Sequence, residues 1–230
     1  MNYKNKQKQL VREIIKSSAP NKDKVSFWDL EKDYSKDNRL CLTSVIFLSK
    51  KTVQKITRKV IEPLKAIEPE HYYYQYGAMH ATLKSIRRIA NPVNFSQSDI
   101  KKVDQLYSEL IPQFKSYTIF IEDLIKFSPS LSLIGYTDNN LSDLVNALDQ
   151  GLKNIGVFDD KNYFSQDVFF NNISVCRFTH QPGEKFLDKV KEMSQIEIGE
   201  FKIKKISLIN CNLACHSGSQ KIINIYNLNS

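Results

Sequence analysis

The feature that most limits the fold of this chain is a strand-helix-strand unit that occurs twice. The first unit runs from the apolar, β-branched segment LCLTSVIFLS at 40–49, through a helical pattern, to HATLKSI at 80–86. The second runs from SLSLIGYT at 130–137, through another helical pattern, to NISVCRF at 172–178. A chain built from two such units is expected to fold as two similar halves.

The two units have similar lengths, because 38 residues separate Leu42 from His80 and 41 separate Leu131 from Asn172. Packing about a pseudo-two-fold axis would bring the two final strands together at a shared cleft, where proteins with mixed sheets and helices often bind ligands. The sequence therefore predicts a two-lobed, pseudo-symmetric α+β fold, with antiparallel sheets lining a central cleft and helices outside. The residue-level similarity is weak, and a chance likeness of the two units stays an alternative.

The other elements are predicted from the spacing of apolar residues along the chain. Helices are expected at 5–16, 52–66, 97–113, 139–154 and 182–194, and further strands at 117–124, 168–178, 200–210 and 221–228. The first helix belongs to an N-terminal extension, residues 1–39, which continues as a polar stretch with one aromatic cluster. Residues 40–230 are expected to form the bilobal domain.

Composition limits the class of protein and its partners. With 230 residues, 41% of them apolar, the chain can bury a full core. The formal charge of +8 suits nucleic acid or a phosphorylated metabolite, and it equally suits an ordinary solvated surface. The first residues lack a signal-like apolar core, and no apolar run approaches the roughly 20 residues that span a bilayer. A cytoplasmic monomer without a membrane partner is the expectation.

The cysteines and the glycines argue against several kinds of site. Cys41, Cys176, Cys211 and Cys215 form no pair of CxxC units and are too few for a disulfide framework, so reduced thiols are expected. The segment CNLACH at 211–216 fits a strand end and loop better than a zinc site. With seven glycines, the chain has no GxGxxG or P-loop motif, and no HExxH motif occurs. We expect neither a cofactor nor a metal.

His80 and Thr82 are the first candidate functional residues. On a strand, alternate side chains share a face, so both point the same way while Ala81 and Leu83 point the other way. An imidazole can take or give a proton near neutral pH, and a hydroxyl can hydrogen-bond a phosphoryl oxygen. The pair suits phosphodiester chemistry, although a histidine that only makes hydrogen bonds within the folded structure is the simpler alternative.

The order of elements from residue 40 onward, and the H-x-T-L motif at 80–83, resemble the 2H phosphoesterases. This superfamily contains 2′-5′ RNA ligase-like proteins and 2′,3′-cyclic nucleotide phosphodiesterases. The resemblance implies that each lobe supplies one H-x-[ST] motif, with one histidine acting as general base and the other as general acid. It implies that Thr82 and Ser174 hold the phosphate beside His80, without a metal, on an RNA end or nucleotide that carries a cyclic phosphate.

The second motif departs from that pattern, because Asn172 stands where the resemblance would place a histidine. Asparagine can donate a hydrogen bond but does not titrate, so proton-transfer help worth roughly a hundredfold to ten-thousandfold should be missing there. His180 cannot replace it by sliding along the strand, since it lies eight residues further, about 26 Å at strand rise. Whether His216 enters the cleft from its loop stays open.

Further groups are compatible with an anionic ligand. Lys84 continues the face of His80, and Arg177 lies close to Ser174 on the second motif strand, so both are expected, with Asn172, to bind substrate. Arg87 and Arg88 fit a solvated strand end better than a ligand contact. The tyrosines of YYYQY at 72–76 fit core and edge packing better than base stacking.

Three functions remain after the sequence is read. The first is a degenerate, metal-independent phosphoesterase for RNA 2′,3′-cyclic phosphate ends or related cyclic nucleotides. The second is a module that binds RNA or a nucleotide without turnover, and the third is a protein-interaction domain. Asn172 separates the first from the second, and the sequence leaves open whether the protein is an enzyme.

Overall fold

The structure is a computed structural model of the chain. It describes residues 1–17, 26–27, 36–138, 141–160, 163–216 and 218–230. Most of the polar stretch predicted after the first helix, with its aromatic cluster, lies outside the described residues.

The described residues form helices and strands interspersed along the chain. The helices are α1 (Tyr3–Ser17), α2 (Lys50–Ile56), α3 (Glu62–Lys65), α4 (Gln97–Leu110), α5 (Leu141–Asn154) and α6 (Glu184–Glu192). A π-helical turn, Thr57–Ile61, joins α2 to α3, and a 3-10 turn, Ile111–Gln113, follows α4. The strands are β1 (Leu40–Phe47), β2 (Tyr72–Tyr73), β3 (His80–Ala90), β4 (Tyr117–Phe127), β5 (Ser130–Tyr136), β6 (Asn171–Arg177), β7 (Glu197–Ile203), β8 (Lys205–Cys211) and β9 (Lys221–Asn227).

The strands form one sheet in the order β7-β4-β5-β6-β3-β1-β8-β9, with β2 paired to β6. Each neighbouring pair in this order is antiparallel. Counted outward from the central β3–β6 pair, one half reads β3, β1, β8, β9 and the other reads β6, β5, β4, β7. The strand pairs β1–β3 and β5–β6 are those of the repeated units, so the pseudo-symmetric antiparallel α+β fold is confirmed.

The two motif strands do not lie on separate surfaces that face each other across a cleft. β3 and β6 hydrogen-bond edge to edge, so the sheet runs continuously from one half into the other. The site where the two units meet is therefore a surface that spans two adjacent strands.

The single strand predicted over residues 200–210 is wrong, because this segment contains the end of β7 and most of β8. β7 pairs with β4 in one half, whereas β8 pairs with β1 in the other. The chain crosses between the halves at Lys204, whose carbonyl oxygen accepts a hydrogen bond from the Leu228 N–H at 2.9 Å. Both segments have strand-like composition, and composition does not report which neighbour a strand pairs with.

Helix α1 packs against the second half of the sheet. Val11 and Ile14 are buried, and so is Gln7, although glutamine is a polar residue. The Gln7 side chain donates to the carbonyl oxygen of Phe169 and accepts from the Thr137 N–H. The first described part of the predicted N-terminal extension is thus tied to the body of the protein. Among the described helices, none has the length and apolarity that a bilayer crossing requires.

Candidate active site

The two motif strands meet at a defined register. Ala81 is paired with Ile173, and Thr82 is paired with Asn172. Continuing this antiparallel register by one residue sets His80 beside Ser174. The triplets His80-Ala81-Thr82 and Asn172-Ile173-Ser174 are therefore related by a local two-fold axis between their central residues.

The burial of these residues follows the alternation expected of strands. His80, Thr82, Asn172 and Ser174 are all partly exposed. Their neighbours Ala81, Leu83, Ile173 and Val175 are buried in the main core. The four polar residues, which we call the motif face, thus occupy one accessible face of β3 and β6, while the apolar residues fix the strands from the other side.

The ring of His80 is held in a fixed orientation. Its Nδ1 lies 2.7 Å from the carbonyl oxygen of Ala78. Because a carbonyl oxygen only accepts, Nδ1 carries the proton and donates it, which leaves Nε2 as the nitrogen available for proton transfer. The rings of Phe47 and Tyr74 lie edge-on to the imidazole, with centroids 6.2 and 6.3 Å away.

The thiol of Cys215 is an unpredicted neighbour of His80. Burial disfavours the charged imidazole, but the side chain of Cys215 and the carbonyl of Ala78 outweigh this effect, so the pKa of His80 is raised. Contacts with the Cys211 thiol and with His80 lower the pKa of the Cys215 thiol to about 5, although burial opposes this shift. The two shifts act in the same direction, because each charged form stabilises the other.

The Cys215 backbone has a φ of 46°, in the left-handed region that non-glycine residues seldom adopt. Its side chain is buried, with 2% of the residue exposed. The sequence already marks CNLACH as an unusual segment, but it gives no sign that β8, through its pairing with β1, delivers the segment to His80. All four cysteines are free thiols, and Cys41 Sγ lies 3.7 Å from Cys211 Sγ.

Arg177 lies at the end of β6, paired with Tyr72 of β2. Its Nε donates to the Tyr74 hydroxyl at 2.6 Å, and that hydroxyl donates to the carbonyl oxygen of Leu213 at 3.2 Å. The guanidinium also contributes to the lowered pKa of the Cys215 thiol. Arg177 therefore adds positive charge near this side of the motif face and connects it to the loop that carries Cys215.

Two other side chains of the motif face have contacts relevant to a ligand. The Oδ1 of Asn172 is buried and has no hydrogen-bond partner among the described residues. The Oγ of Ser174 lies 3.5 Å from the Oγ of Ser132, at the outer limit of a hydrogen bond. Unsatisfied buried polar atoms are uncommon in folded proteins, and this amide oxygen could be satisfied only by a hydrogen-bond donor.

The expectation that Lys84 binds substrate disagrees with its position. The residue is 1% exposed, and its Nζ lies 2.9 Å from Asp149 Oδ1 and 2.6 Å from Asp159 Oδ2. A bulge in the pairing of β1 with β3 precedes this position, and the strict alternation from His80 ends there. Lys84 is thus a buried cation neutralised by two carboxylates, and we leave it out of the site.

The remaining candidates lie apart from the motif face. Arg88 donates its backbone N–H to Asp160, at 2.8 Å from Oδ1, while the guanidinium of Arg87 donates to the Ile86 carbonyl. His216 lines a cavity of about 1170 Å³ together with the tyrosine segment 72–76. That cavity borders the segment that leads into β3, and none of the four motif-face residues lines it. Tyr73 and Tyr74 are buried, whereas Tyr76 is exposed.

Solved structures with the same arrangement of elements include a phosphoesterase and LigT. A crystal structure of a phosphoesterase aligns with 84% of this chain and 99% of its own, with a TM-score of 0.58 and 12% identity. This chain has the LigT-like phosphoesterase fold. Escherichia coli LigT, in complex with 3′-AMP, aligns over 84% of this chain and 99% of its own at a TM-score of 0.55 and 15% identity.

A protein from Thermus thermophilus aligns over 82% of this chain and 97% of its own, with a TM-score of 0.57 and 11% identity. Other LigT structures hold NADP⁺ or ATP. No protein-family model and no curated protein matches the sequence. At these identities the likeness concerns the fold, so the function of this chain is argued from its own residues.

Proposed function

We propose that this protein binds the phosphate of an RNA end or nucleotide, with a 2′,3′-cyclic phosphate as the preferred form, on the motif face. The local two-fold relation of His80-x-Thr82 to Asn172-x-Ser174 carries this proposal. It sets two hydroxyls, one imidazole and one amide on one face of two adjacent strands. The nucleotides held by LigT structures support the ligand class by likeness of fold.

Each residue has a role that follows from its chemistry. The hydroxyls of Thr82 and Ser174 and the amide of Asn172 donate hydrogen bonds to phosphoryl oxygens. Burial opposes the charged form of His80, but contacts with Cys215 and Ala78 outweigh burial and raise its pKa, which favours the imidazolium. That form stabilises phosphate charge and serves as the general acid.

Asn172 is the reason to expect weak turnover. Hydrolysis of a cyclic phosphodiester needs a base to take a proton from the attacking water and an acid to protonate the leaving oxygen. Asn172, which lies beside Thr82, cannot take a proton. We therefore propose that His80 is the surviving acid and that the base is missing, which makes binding without brisk turnover the second candidate function.

A binding experiment tests the proposal. Titration of the protein with 2′,3′-cyclic AMP, and with a labelled RNA ending in a 2′,3′-cyclic phosphate, should give saturable binding that weakens as salt is raised, because phosphate neutralisation releases counterions. Thr82→Val keeps the shape of the side chain and removes its hydroxyl, and should weaken binding about tenfold or more. Thr118→Val, on β4, is the matched control and should bind as the wild type does.

The outcomes separate the candidate functions. Absence of binding at low salt would leave the protein-interaction role as the better account. Binding that Thr82→Val leaves unchanged would place the phosphate elsewhere on this basic chain, whose formal charge is +8, and would remove the motif face from the proposal.

A further inference from the structure

A cluster of three potential metal ligands lies apart from the motif face, at the far end of β6. It consists of Glu68, His71 and His180, whose nearest ligand atoms all lie within 4.8 Å of one another. Glu68 Oε2 is 2.7 Å from His71 Nε2 and 3.6 Å from His180 Nε2. Ligands at 2.0–2.2 Å from a tetrahedral zinc ion lie about 3.4 Å apart, so the two distances bracket that value.

Two buried atoms of this cluster lie close together. The side chain of His71 is fully buried, and its Nε2 lies 2.7 Å from Oε2 of Glu68, which makes an ion pair when the imidazole is protonated. Neither atom has a further hydrogen-bond partner among the described residues. A divalent cation bound by both atoms would take the place of the Nε2 proton, because a metal-bound histidine nitrogen must be deprotonated.

The other oxygen of Glu68 has a separate anchor. Oε1 accepts a hydrogen bond from the Gly183 N–H at 2.7 Å, at the residue that precedes α6. A side chain at position 183 would bring a Cβ to 3.0 Å from this oxygen, so glycine leaves room for it. The carboxylate is thereby fixed with Oε2 directed toward both histidines, as a monodentate ligand would be.

Thr179 orients the histidines from the opposite side. Its hydroxyl donates to the Glu70 carbonyl at 3.2 Å, so it accepts from the Nδ1–H of His180 at 3.1 Å. This leaves the Nε2 of His180 with its lone pair beside the Glu68 carboxylate. The backbone N–H of Thr179 donates to Nδ1 of His71 at 3.3 Å, and the Thr179 hydroxyl lies at the same distance from that nitrogen. With a metal on Nε2, the ring proton would move to Nδ1, which would then donate to the hydroxyl in place of accepting from the N–H, as metal-bound histidines commonly donate to an outer partner.

We propose that Glu68, His71 and His180 form a site for a divalent transition metal, with zinc the best match. Two imidazoles and one carboxylate are a zinc ligand set that leaves a fourth position open. His180 is 45% exposed, so the site reaches solvent, and His71 and Thr179 border the cavity beside the tyrosine segment. The ion would tie the chain at 68–71 to the segment at 179–183.

The site does not depend on the proposed phosphate chemistry. His180 lies more than one hundred residues along the chain from Glu68 and His71, and the short Glu-x-x-His spacing at 68–71 lies outside a helix. Stacking of the His71 and His180 rings, with centroids 4.2 Å apart, brings the distant ligand into place. Because one ligand is distant in sequence, the site does not match any local metal-binding motif.

Zinc binding to the full chain, free of any histidine tag and treated with a chelator, tests the proposal. Titration with zinc against a chromophoric chelator should show one ion per chain. His180→Ala, at a half-exposed position, should weaken binding at least tenfold without harming the fold, and Glu68→Gln should act in the same direction. Thr179→Val should cost about tenfold to a hundredfold through its outer contacts. His216→Ala, beside the same cavity, is the control that retains wild-type affinity.

Cobalt substitution distinguishes this site from the thiols near His80. Cobalt bound by nitrogen and oxygen should lack the intense near-ultraviolet absorption of a cobalt-thiolate bond. Zinc that binds equally well to His180→Ala, or cobalt with thiolate absorption, would overturn the assignment, as would an absence of binding at micromolar zinc. None of these readings uses a nucleotide, so failure here and failure of the phosphate proposal are separate results.

Discussion

Thr82 and Asn172 are direct partners across the antiparallel pair that joins the two halves of the sheet. This pairing means that a residue at position 172 and His80 lie on the same face, on adjacent strands, displaced by two residues along the pair. A histidine at position 172 would therefore lie across a bound phosphate from His80, where a second proton-transfer group is needed.

Asn172→His should raise the turnover of a 2′,3′-cyclic nucleotide at least tenfold. The wild type should hydrolyse it feebly or not at all, because the loss of one acid or base costs about a hundredfold to ten-thousandfold, roughly 3 to 5.5 kcal/mol of barrier. Initial rates of 2′,3′-cyclic AMP hydrolysis, measured for both proteins at neutral pH, provide the comparison.

The double variant Asn172→His, His80→Ala is the control for that gain. It should lose the added activity, because one histidine cannot be acid and base in the same step. Brisk turnover by the wild type, with no increase for Asn172→His, would mean that another residue supplies the second proton and that the site is not degenerate.

Cys215→Ser should lower the pKa of His80. Burial alone would depress this pKa, and the Cys215 side chain is the main group that raises it. A pH titration of the histidine ring signals by NMR measures the change, with His80→Gln used to assign the resonance. An unchanged His80 titration in Cys215→Ser would show that the thiol does not form a charged pair with the imidazole.

The same contact should make stability depend on pH. Since the folded-state pKa of His80 is raised above its unfolded value of about 6.5, its protonation favours folding. This contribution is complete below the unfolded pKa and is lost as pH rises through the folded pKa. The Cys215 thiol, whose pKa is lowered, contributes in the opposite direction as pH rises. His80→Gln should therefore change the dependence of the urea midpoints on pH, whereas an unaltered pH profile would contradict the raised pKa.

Lys84→Ala should destabilise the fold by about 3–5 kcal/mol, because it leaves the carboxylates of Asp149 and Asp159 near each other without their buried cation. Urea unfolding followed by circular dichroism measures the loss. Lys153→Ala removes a 53% exposed lysine that also contacts Asp149, and should cost less than about 1 kcal/mol. If both variants lose similarly little stability, Lys84 would again be a candidate for ligand binding.

Gln7→Ala should destabilise the protein by about 1–3 kcal/mol, since it removes two buried hydrogen bonds that tie α1 to the sheet. Gln9→Ala, which changes an exposed glutamine on the same helix, should be close to neutral. The urea midpoints of the two variants give the test, and equal midpoints would show that α1 contributes little to the folded body.

The local parts of this structure could be predicted from the sequence. Residues 80, 82, 172 and 174 share one face of their strands because side chains alternate with a period of two. Apolar spacing located the main helices, and the similar separation of strand and motif in the two units predicted the pseudo-symmetric halves. These features depend on residues close together in the chain, and their physical causes act over the same short range.

The contacts between groups far apart in the sequence depend on the tertiary fold. The pairing of β8 with β1 carries Cys215 to His80, and the burial of Lys84 follows from a bulge and from carboxylates about 65 to 75 residues away. The division of 197–211 into strands of opposite halves, and the approach of His180 to Glu68, have the same origin. Such contacts depend on which strands pair and in which register. Local spacing of residues does not specify either, because many pairings are compatible with the same alternation of side chains.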